Sequence, residues 1–234
     1  MPERTKAEII CVNGQEIPYR LTRSRRRTLG LSVSEAGVRV NVPKWVSQQE
    51  IDQFLQERFQ WLLRNLEKME RNRREQPVLS HGETVFYLGV PLQLRVAPCL
   101  FPDVRRSGRM LWVSSPDEAA VPELVRAWFR ERAAPLLKWR LMLHARRQGG
   151  RIPQFGLSDA RTQWGICHPD GRIRLNWRLA QAPLSIIDYV AAHEVAHLLH
   201  ADHSPRFWRQ VEAIYPDADT ARDWLNRHGH KLMI

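Results

Sequence analysis

The segment His193-Glu194-Val195-Ala196-His197 is the part of this sequence that points most directly to chemistry. On an α-helix, residues four apart lie about 40° and 6 Å from each other, so His193 and His197 would project from one face and could bind the same metal ion. Glu194 would lie beside that ion without binding it, where its carboxylate can take a proton from an activated water and pass it to a leaving group. The spacing therefore predicts a Zn²⁺ site with Glu194 as general base.

The residues around this pentapeptide favour a metal site over two ordinary histidines on a helix face. The positions that flank it are mostly apolar: Ile186, Ile187, Val190, Ala191, Ala192 and Leu198. Two histidines and a glutamate inside a buried helix would cost free energy unless a partner such as a metal compensated them.

Catalytic zinc has three protein ligands and one open position, so a third ligand is expected downstream. The candidates are His200, His203 and Glu212. On a straight helix His200 would lie about 10.5 Å along the axis from His193, too far for convenient binding of one ion. His203 is favoured, because it comes where the chain must leave the helix before Ser204. Glu212, one helix later, is the glutamate-type alternative.

The elements that must position these residues can be predicted from periodicity. Residues 154–157 and 172–177 have the character of short strands, and a helix is expected from Leu184 to about Ala201. Ser204, followed by a proline, predicts the start of a second helix, and a third should follow Asp219. The strand at 173–177 is expected at the edge of the sheet, where it could pair with an extended substrate.

The N-terminal half has β-rich stretches separated by helices. Residues 29–33 and 38–42 alternate in polarity around the turn residues 35–37, which predicts a hairpin. Ser47 and Glu50 have the spacing of a capping box at the start of one long helix that ends between 70 and 76.

A second β-rich stretch and another long helix follow. Strands are expected at 84–88, 92–96 and 110–113, with Gly89 as a turn. A helix from about Pro122 to Arg147 contains Pro135, which predicts a kink or a break. We detect no internal repeat. The resulting expectation is an α+β protein with a β-rich N-terminal part at 1–116, including a long helix, and a catalytic domain with a small sheet at 117–234.

Composition limits the classes of partner and location. The chain of 234 residues has a net charge of +11, and clustered arginines at 20, 23, 25, 26 and 27 and at 71, 73 and 74 make nucleic acid or nucleotide phosphate a candidate partner. A solvated basic surface is the alternative. Three scattered cysteines do not suggest disulfides, no apolar run is long enough to span a bilayer, and residues 1–6 lack a secretory pattern. A cytoplasmic location is expected.

The histidine motif, together with His203-Ser204-Pro205-Arg206-Phe207-Trp208, resembles the signature of the YgjP-like metallopeptidases, which are related to the SprT-like and WLM zinc proteases. The resemblance extends through residues 164–167, 173–179, 24–28 and 87–89, and so covers most of the chain. It implies a zincin-like C-terminal domain with His193, His197 and His203 as zinc ligands and Glu194 as the catalytic residue.

Two residues depart from the pattern of these relatives. They usually have a small polar residue where this chain has Ile166 and a basic residue where it has Gln163. A different substrate preference would follow if this segment touches substrate. The neighbouring Cys167 is expected either as a packed thiol or as a residue near the metal. It is not expected to bind zinc, because it would then occupy the open position.

Three functions compete at this level. The leading hypothesis is zinc-dependent hydrolysis of peptide bonds in a peptide or protein substrate. The second is hydrolysis of a nucleotide or another phosphoanhydride, which should require arginines beside the zinc. The third is a nucleic-acid-associated protease that acts on DNA-bound or RNA-bound proteins.

Overall fold

The computed structural model describes residues 5–12, 14–34 and 36–234. The chain divides into two compact units, Met1–Arg74 and Glu75–Ile234, and each has its own buried apolar core. Both units combine helices with small sheets, which confirms the α+β fold class. None of the described helices is both long enough and apolar enough to cross a bilayer.

The first unit contains a four-stranded sheet in the order β1-β2-β4-β3. Pairs β1-β2 and β3-β4 are antiparallel, whereas β2 and β4 run parallel. The predicted hairpin is confirmed as β3 and β4, although Glu35 of its turn lies outside the described residues. The strands are β1 (Thr5–Val12), β2 (Gln15–Ser24), β3 (Gly30–Ser34) and β4 (Gly37–Pro43).

The helical part of the first unit begins at the predicted capping box. The Ser47 side chain accepts from the Glu50 backbone N–H, and the Glu50 carboxylate accepts from the Ser47 N–H. The prediction of one long helix is wrong, because α1 (Gln48–Glu57) and α2 (Phe59–Arg74) are separate. Arg58 between them has φ −104° and ψ 7°, which interrupts the helical path.

The second unit begins with another four-stranded sheet, in the order β5-β6-β8-β7. Its outer pairs are antiparallel and its central pair β6-β8 is parallel, so it repeats the plan of the first sheet although no repeat is detectable in the sequence. Sequence analysis missed β7, because its residues are mostly polar and exposed. The strands are β5 (Thr84–Tyr87), β6 (Val90–Pro98), β7 (Asp103–Ser107) and β8 (Met110–Ser115).

The turn between β5 and β6 contacts the segment that leads into the site. Leu88 and Gly89 have φ values of 53° and 77°, and their N–H groups donate to the carbonyls of Ala180 and Gln181 at 2.8 and 3.0 Å. A Cβ at Gly89 would lie 3.0 Å from Pro183 Cγ. Positive φ and close packing together account for a glycine here.

A long helix, α3 (Val121–Arg147), crosses the second unit. It follows a short 3-10 helix at Glu118–Ala120 and continues through Pro135 without a break. Pro135 is exposed, so the carbonyl that loses its hydrogen bond can be solvated. Buried α3 residues share a core with the β5–β8 sheet. The contacts thus group this sheet with the C-terminal residues, whereas sequence analysis divided the chain at 116/117.

The small sheet of the second unit has the order β10-β11-β9. It consists of β9 (Phe155–Ser158), β10 (Gly165–Cys167) and β11 (Ile173–Asn176). The expectation that residues 173–177 form an edge strand is wrong, because β11 pairs with β10 on one side and with β9 on the other. The short β10, which was not predicted from the sequence, forms one edge, and β9 forms the other.

The C-terminal helices follow a 3-10 helix at Trp177–Gln181. They are α4 (Leu184–Ala196), α5 (Pro205–Ile214) and α6 (Ala218–His228), followed by a 3-10 helix at Gly229–Leu232. Helix α5 starts where Ser204 predicts it. Helix α4 ends about five residues before the predicted Ala201, because the backbone tightens into turns after His197.

A buried ion cluster joins α3 to α4. The Asp188 carboxylate accepts two hydrogen bonds from Arg140 and one from His144 Nε2 at 3.2 Å. The side chains of Arg140 and Asp188 are only 17% and 13% exposed. Burial alone would raise the pKa of Asp188, but these hydrogen bonds and the Arg140 charge outweigh it and hold the pKa below its usual range.

Replacing Asp188 by asparagine should lower the free energy of unfolding by about 3 kcal/mol near pH 7, because it leaves Arg140 buried without its partner. A folded-state pKa below the unfolded value of about 3.9 means that the carboxylate's contribution is complete above about pH 5 and is lost as the pH falls through the folded pKa. Denaturant unfolding from pH 7 to pH 3 should show the difference between wild type and variant shrinking below about pH 4.

The control for this experiment is Asp103→Asn. Asp103 pairs with Arg105 at 3.4 Å, and both side chains are more than half exposed, so its replacement should change the stability little. A difference for Asp188→Asn that stays constant at every pH would contradict the role assigned to its ionised carboxylate.

Candidate functional site

Helix α4 carries His193 and Glu194 into the interior of the second unit. Nine of its residues are buried, so the apolar composition that surrounds the motif reflects a helix enclosed on most sides. His193 occupies the last turn of the helix, and His197 is the residue that caps it. Their ring centroids lie 4.9 Å apart, as expected for residues four apart at the end of one helix.

His203 returns to the other two histidines because the chain reverses after α4. One ligand atom from each of His193, His197 and His203 can be chosen so that all three lie within 4.8 Å of one another. The Nε2 atoms of His193 and His203 are 3.3 Å apart. Neither His200 nor Glu212, the other candidates from the sequence, belongs to this cluster among the described residues.

Phe207, at the start of α5, supports all three imidazoles. Its ring is fully buried and lies 4.8 Å from His193, 4.4 Å from His197 and 4.8 Å from His203, measured between centroids. It stacks on His197 and meets the others at steep angles. In the sequence Phe207 is visible only as part of the motif at 203–208, whereas the contacts identify its ring as the surface that orients the histidines.

The backbone after α4 orients His197 as well. Its Nδ1 lies 3.0 Å from the carbonyl oxygen of His200, and a hydrogen on Nδ1 would leave the Nε2 lone pair directed toward the other histidines. His200 therefore contributes through its backbone and not through its ring.

The partly buried His193 and His197 are neutral at physiological pH. Burial, followed by the proximity of His197 and His203, lowers the pKa of His193 to about 3. Burial also lowers the pKa of His197. Neutral imidazoles retain the lone pairs that metal binding requires.

Glu194 is buried beside the histidines with an unused oxygen. The residue is 4% exposed, and its Oε2 has no hydrogen-bond partner among the described residues. Burial raises the pKa of Glu194 to about 8, and a cation bound next to it would lower that pKa again. A buried carboxylate oxygen without a partner is costly, which indicates that this oxygen interacts with a bound species.

Gly165 on β10 leaves the space that the Glu194 side chain occupies. A Cβ at this position would lie 2.4 Å from Glu194 Oε1 and 2.6 Å from its Cγ and Cδ. The backbone there has no positive φ, so the lack of space, and not conformation, demands glycine.

Asn176 shapes the chain that enters β10. It is fully buried, its Nδ2 donates to the carbonyls of Ala160 and Gln163 at 2.6 and 3.1 Å, and its N–H donates to Trp164 at 2.8 Å. Sequence analysis did not single out Asn176. An asparagine within an otherwise apolar strand was the available signal, because a buried amide must find partners.

A cavity of about 630 Å³ opens beside the histidines. The β10 segment forms one wall of the cavity. Gln163 and Ile166, the two departures from the family pattern, both line the cavity.

Cys167 also lines the cavity without joining the histidine cluster. Burial, followed by the charges of Glu194 and Asp170, raises the pKa of Cys167 to about 11, so this residue is a neutral thiol. The clustered arginines at 20–27 and 71–74 all belong to the first unit, and none lines the cavity.

The donor set fits Zn²⁺. Tetrahedral zinc with imidazole nitrogens at about 2.0–2.1 Å needs donor atoms about 3.4 Å apart, close to the 3.3 Å between the Nε2 atoms of His193 and His203. Three protein ligands and one open position are typical of catalytic zinc.

Gly165→Ala should destabilise the metal-free protein by about 1–3 kcal/mol, because the added methyl overlaps the Glu194 side chain. In a Glu194→Ala background the same change should cost much less, since the obstructing atoms are gone. Denaturant unfolding of the four proteins of this cycle measures the coupling. Gly156→Ala is the control: its Cβ would meet only the Arg174 side chain, at 3.5 Å. Equal costs of Gly165→Ala in both backgrounds would contradict the proposed contact.

Comparisons with known proteins identify the family of this chain. A search of the curated proteins found no match. One solved structure, the metallopeptidase zymogen abylysin of Pyrococcus abyssi, is 23% identical and covers 39% of this chain and 90% of its own, with a TM-score of 0.34. The model of the YgjP-like metallopeptidase domain matches residues 27–228. The chain therefore belongs to the YgjP-like metallopeptidase family.

Proposed function

We propose that this metallopeptidase binds Zn²⁺ through His193, His197 and His203 and uses Glu194 as its general base and acid. The observation that carries the proposal is the cluster of three imidazoles beside a buried carboxylate with one unpartnered oxygen. Zinc bound there would polarise the scissile carbonyl and lower the pKa of the attacking water.

In this proposal Glu194 transfers the proton from the attacking water to the leaving group. Its carboxylate accepts a proton from the water that attacks the peptide carbonyl and then donates that proton to the amine that leaves. The steric fit against Gly165 holds the side chain in one position, and exclusion of bulk water keeps its affinity for a proton high. A zincin-like arrangement, in which the helix supplies two ligands and the base, is the corresponding architecture.

The edge strand β10 is the candidate for binding an extended peptide. It pairs with β11 on one side only, and its residues line the cavity next to Glu194. Backbone hydrogen bonds to an edge strand would hold a peptide with little dependence on its sequence. This assignment replaces the one made from sequence, which placed the substrate on β11.

The charge of the cavity favours a peptide over a phosphoanhydride. Among the described residues that line it, Arg222 is the sole arginine or lysine, and one such cation would oppose the several negative charges of a nucleoside triphosphate. The main chain of a peptide is neutral and does not need several cations in the cavity.

The zinc-loaded protein should therefore hydrolyse unfolded protein and leave a nucleotide panel intact, as followed by mass spectrometry and phosphate release. Hydrolysis of nucleotides without any peptide cleavage would overturn the proposal.

Glu194→Gln should retain zinc and the fold but lose turnover by about 10²- to 10⁴-fold, because the amide keeps the shape of the side chain and cannot accept the proton. Zinc content, thermal unfolding and turnover are measured on one preparation. A stable, zinc-loaded variant with wild-type turnover would exclude the role of Glu194 as general base. A purely structural role would lower activity only in proportion to unfolded protein.

His203→Ala should remove most of the bound zinc, whereas His200→Ala should leave the zinc content near that of the wild type. The two residues are matched, since both are histidines in the segment that follows α4, but only His203 places a nitrogen in the cluster. His200→Ala also preserves the backbone carbonyl that contacts His197. Metal analysis after dialysis tests the difference, and equal loss of zinc in both variants would refute the ligand assignment.

A further inference from the structure

Helix α6 forms part of the cavity wall, and the proposed mechanism of peptide hydrolysis gives its side chains no role. Arg222, Leu225 and Asn226 all line the cavity, and their spacing places them on one side of the helix. The wall thus combines a permanent cation, an apolar side chain and an amide within about one helical turn.

Arg222 lies close to the histidine cluster. Its guanidinium carbon is 5.1 Å from the centre of the Trp208 ring, and the same ring lies 5.8 Å from His193 and 5.9 Å from His203 between centroids. A single aromatic side chain therefore separates the guanidinium from the imidazoles. Stacking on Trp208 also restricts the guanidinium and favours one orientation.

The existing partner of Arg222 is weakly bound. Its Nη2 lies 2.8 Å from Asp219 Oδ1, but the two side chains are 44% and 79% exposed. Water and salt screen such a pair, so an anion that enters the cavity can compete with Asp219 for the guanidinium. Asp219 precedes Arg222 on the same helix by three residues and does not itself line the cavity.

We propose that Arg222, with the Asn226 amide, binds a carboxylate of the substrate, so that the enzyme favours peptides carrying a carboxylate near the scissile bond. The planar donor groups of arginine match the two oxygens of a carboxylate, and an amide one turn away can donate a further hydrogen bond. The carboxylate comes either from the C-terminus of the substrate or from an aspartate or glutamate side chain. This inference rests on the proposed peptidase function.

The test uses the zinc-loaded full chain and three peptide libraries. The first has free C-terminal carboxylates, the second is the same library with amidated C-termini, and the third is amidated with Asn and Gln in place of Asp and Glu. The wild type should cleave the first library better than the third. A preference for the first over the second identifies the C-terminal carboxylate, whereas equal cleavage of these two, both above the third, identifies the acidic side chain.

Arg222→Gln should raise KM for carboxylate-bearing peptides roughly 10- to 100-fold, the range expected for losing a hydrogen bond to a charged group. Its effect on the third library should be much smaller, because those peptides carry no carboxylate for Arg222 to bind. Arg222→Lys should retain part of the preference, because the charge remains while the paired donor geometry is lost. Arg227→Gln is the matched control: Arg227 lies on the same helix and pairs with Asp223 at 3.9 Å, but does not line the cavity.

Binding gives a readout independent of turnover. Calorimetry with the Glu194→Gln variant should show that the preferred library binds roughly tenfold more tightly than the third, and that Arg222→Gln abolishes this difference. Equal wild-type cleavage of all three libraries, or an Arg222→Gln effect of the same size on each, would overturn the inference while leaving the peptidase function intact. Failure of the wild type to cleave any library would overturn both.

Discussion

A carboxylate oxygen held out of water without a hydrogen-bond partner is costly to a folded protein, and Glu194 Oε2 is in that position. Much of the second unit can be understood from this cost. Helix α4 is enclosed by apolar neighbours, the strand opposite Glu194 has a glycine at the point of contact, and an ion cluster ties the helix to α3. These features fix the helix and the Glu194 side chain in place within the second unit.

The histidine cluster depends on a local change of direction and on one aromatic side chain. A straight continuation of α4 would carry the chain after His197 away from His193, whereas the tight turns at residues 198–200 allow His203 to return. Phe207 then packs against all three rings. Because each ring is oriented by packing or by a backbone carbonyl, the nitrogen positions do not rely on a bound ion alone.

Sequence patterns predicted the histidine cluster better than the architecture. The spacing of His193 and His197 is a property of any helix, and His203 is marked by the helix start at Ser204. These signals are local. The pairing of β11 on both sides, the exposed polar β7 and the grouping of β5–β8 with the C-terminal residues depend on contacts distant in sequence. The break between α1 and α2 at Arg58 is not marked by a proline or a glycine in the sequence. The positions of Gly165 and Arg222 in the cavity wall follow from the placement of β10 and α6, which the sequence alone does not reveal.

The hydrogen bonds from Leu88 and Gly89 to the carbonyls of Ala180 and Gln181 have a consequence for the smallest fragment that can fold. They join a β-turn to the residues immediately before α4, at a distance of about ninety positions along the chain. A fragment that begins at residue 117 would lose both donors, the packing of the turn on Pro183 and the apolar face of the β5–β8 sheet. The minimal folding unit around the histidines accordingly begins near Glu75, and the β5–β8 sheet is an integral part of the scaffold that supports α4.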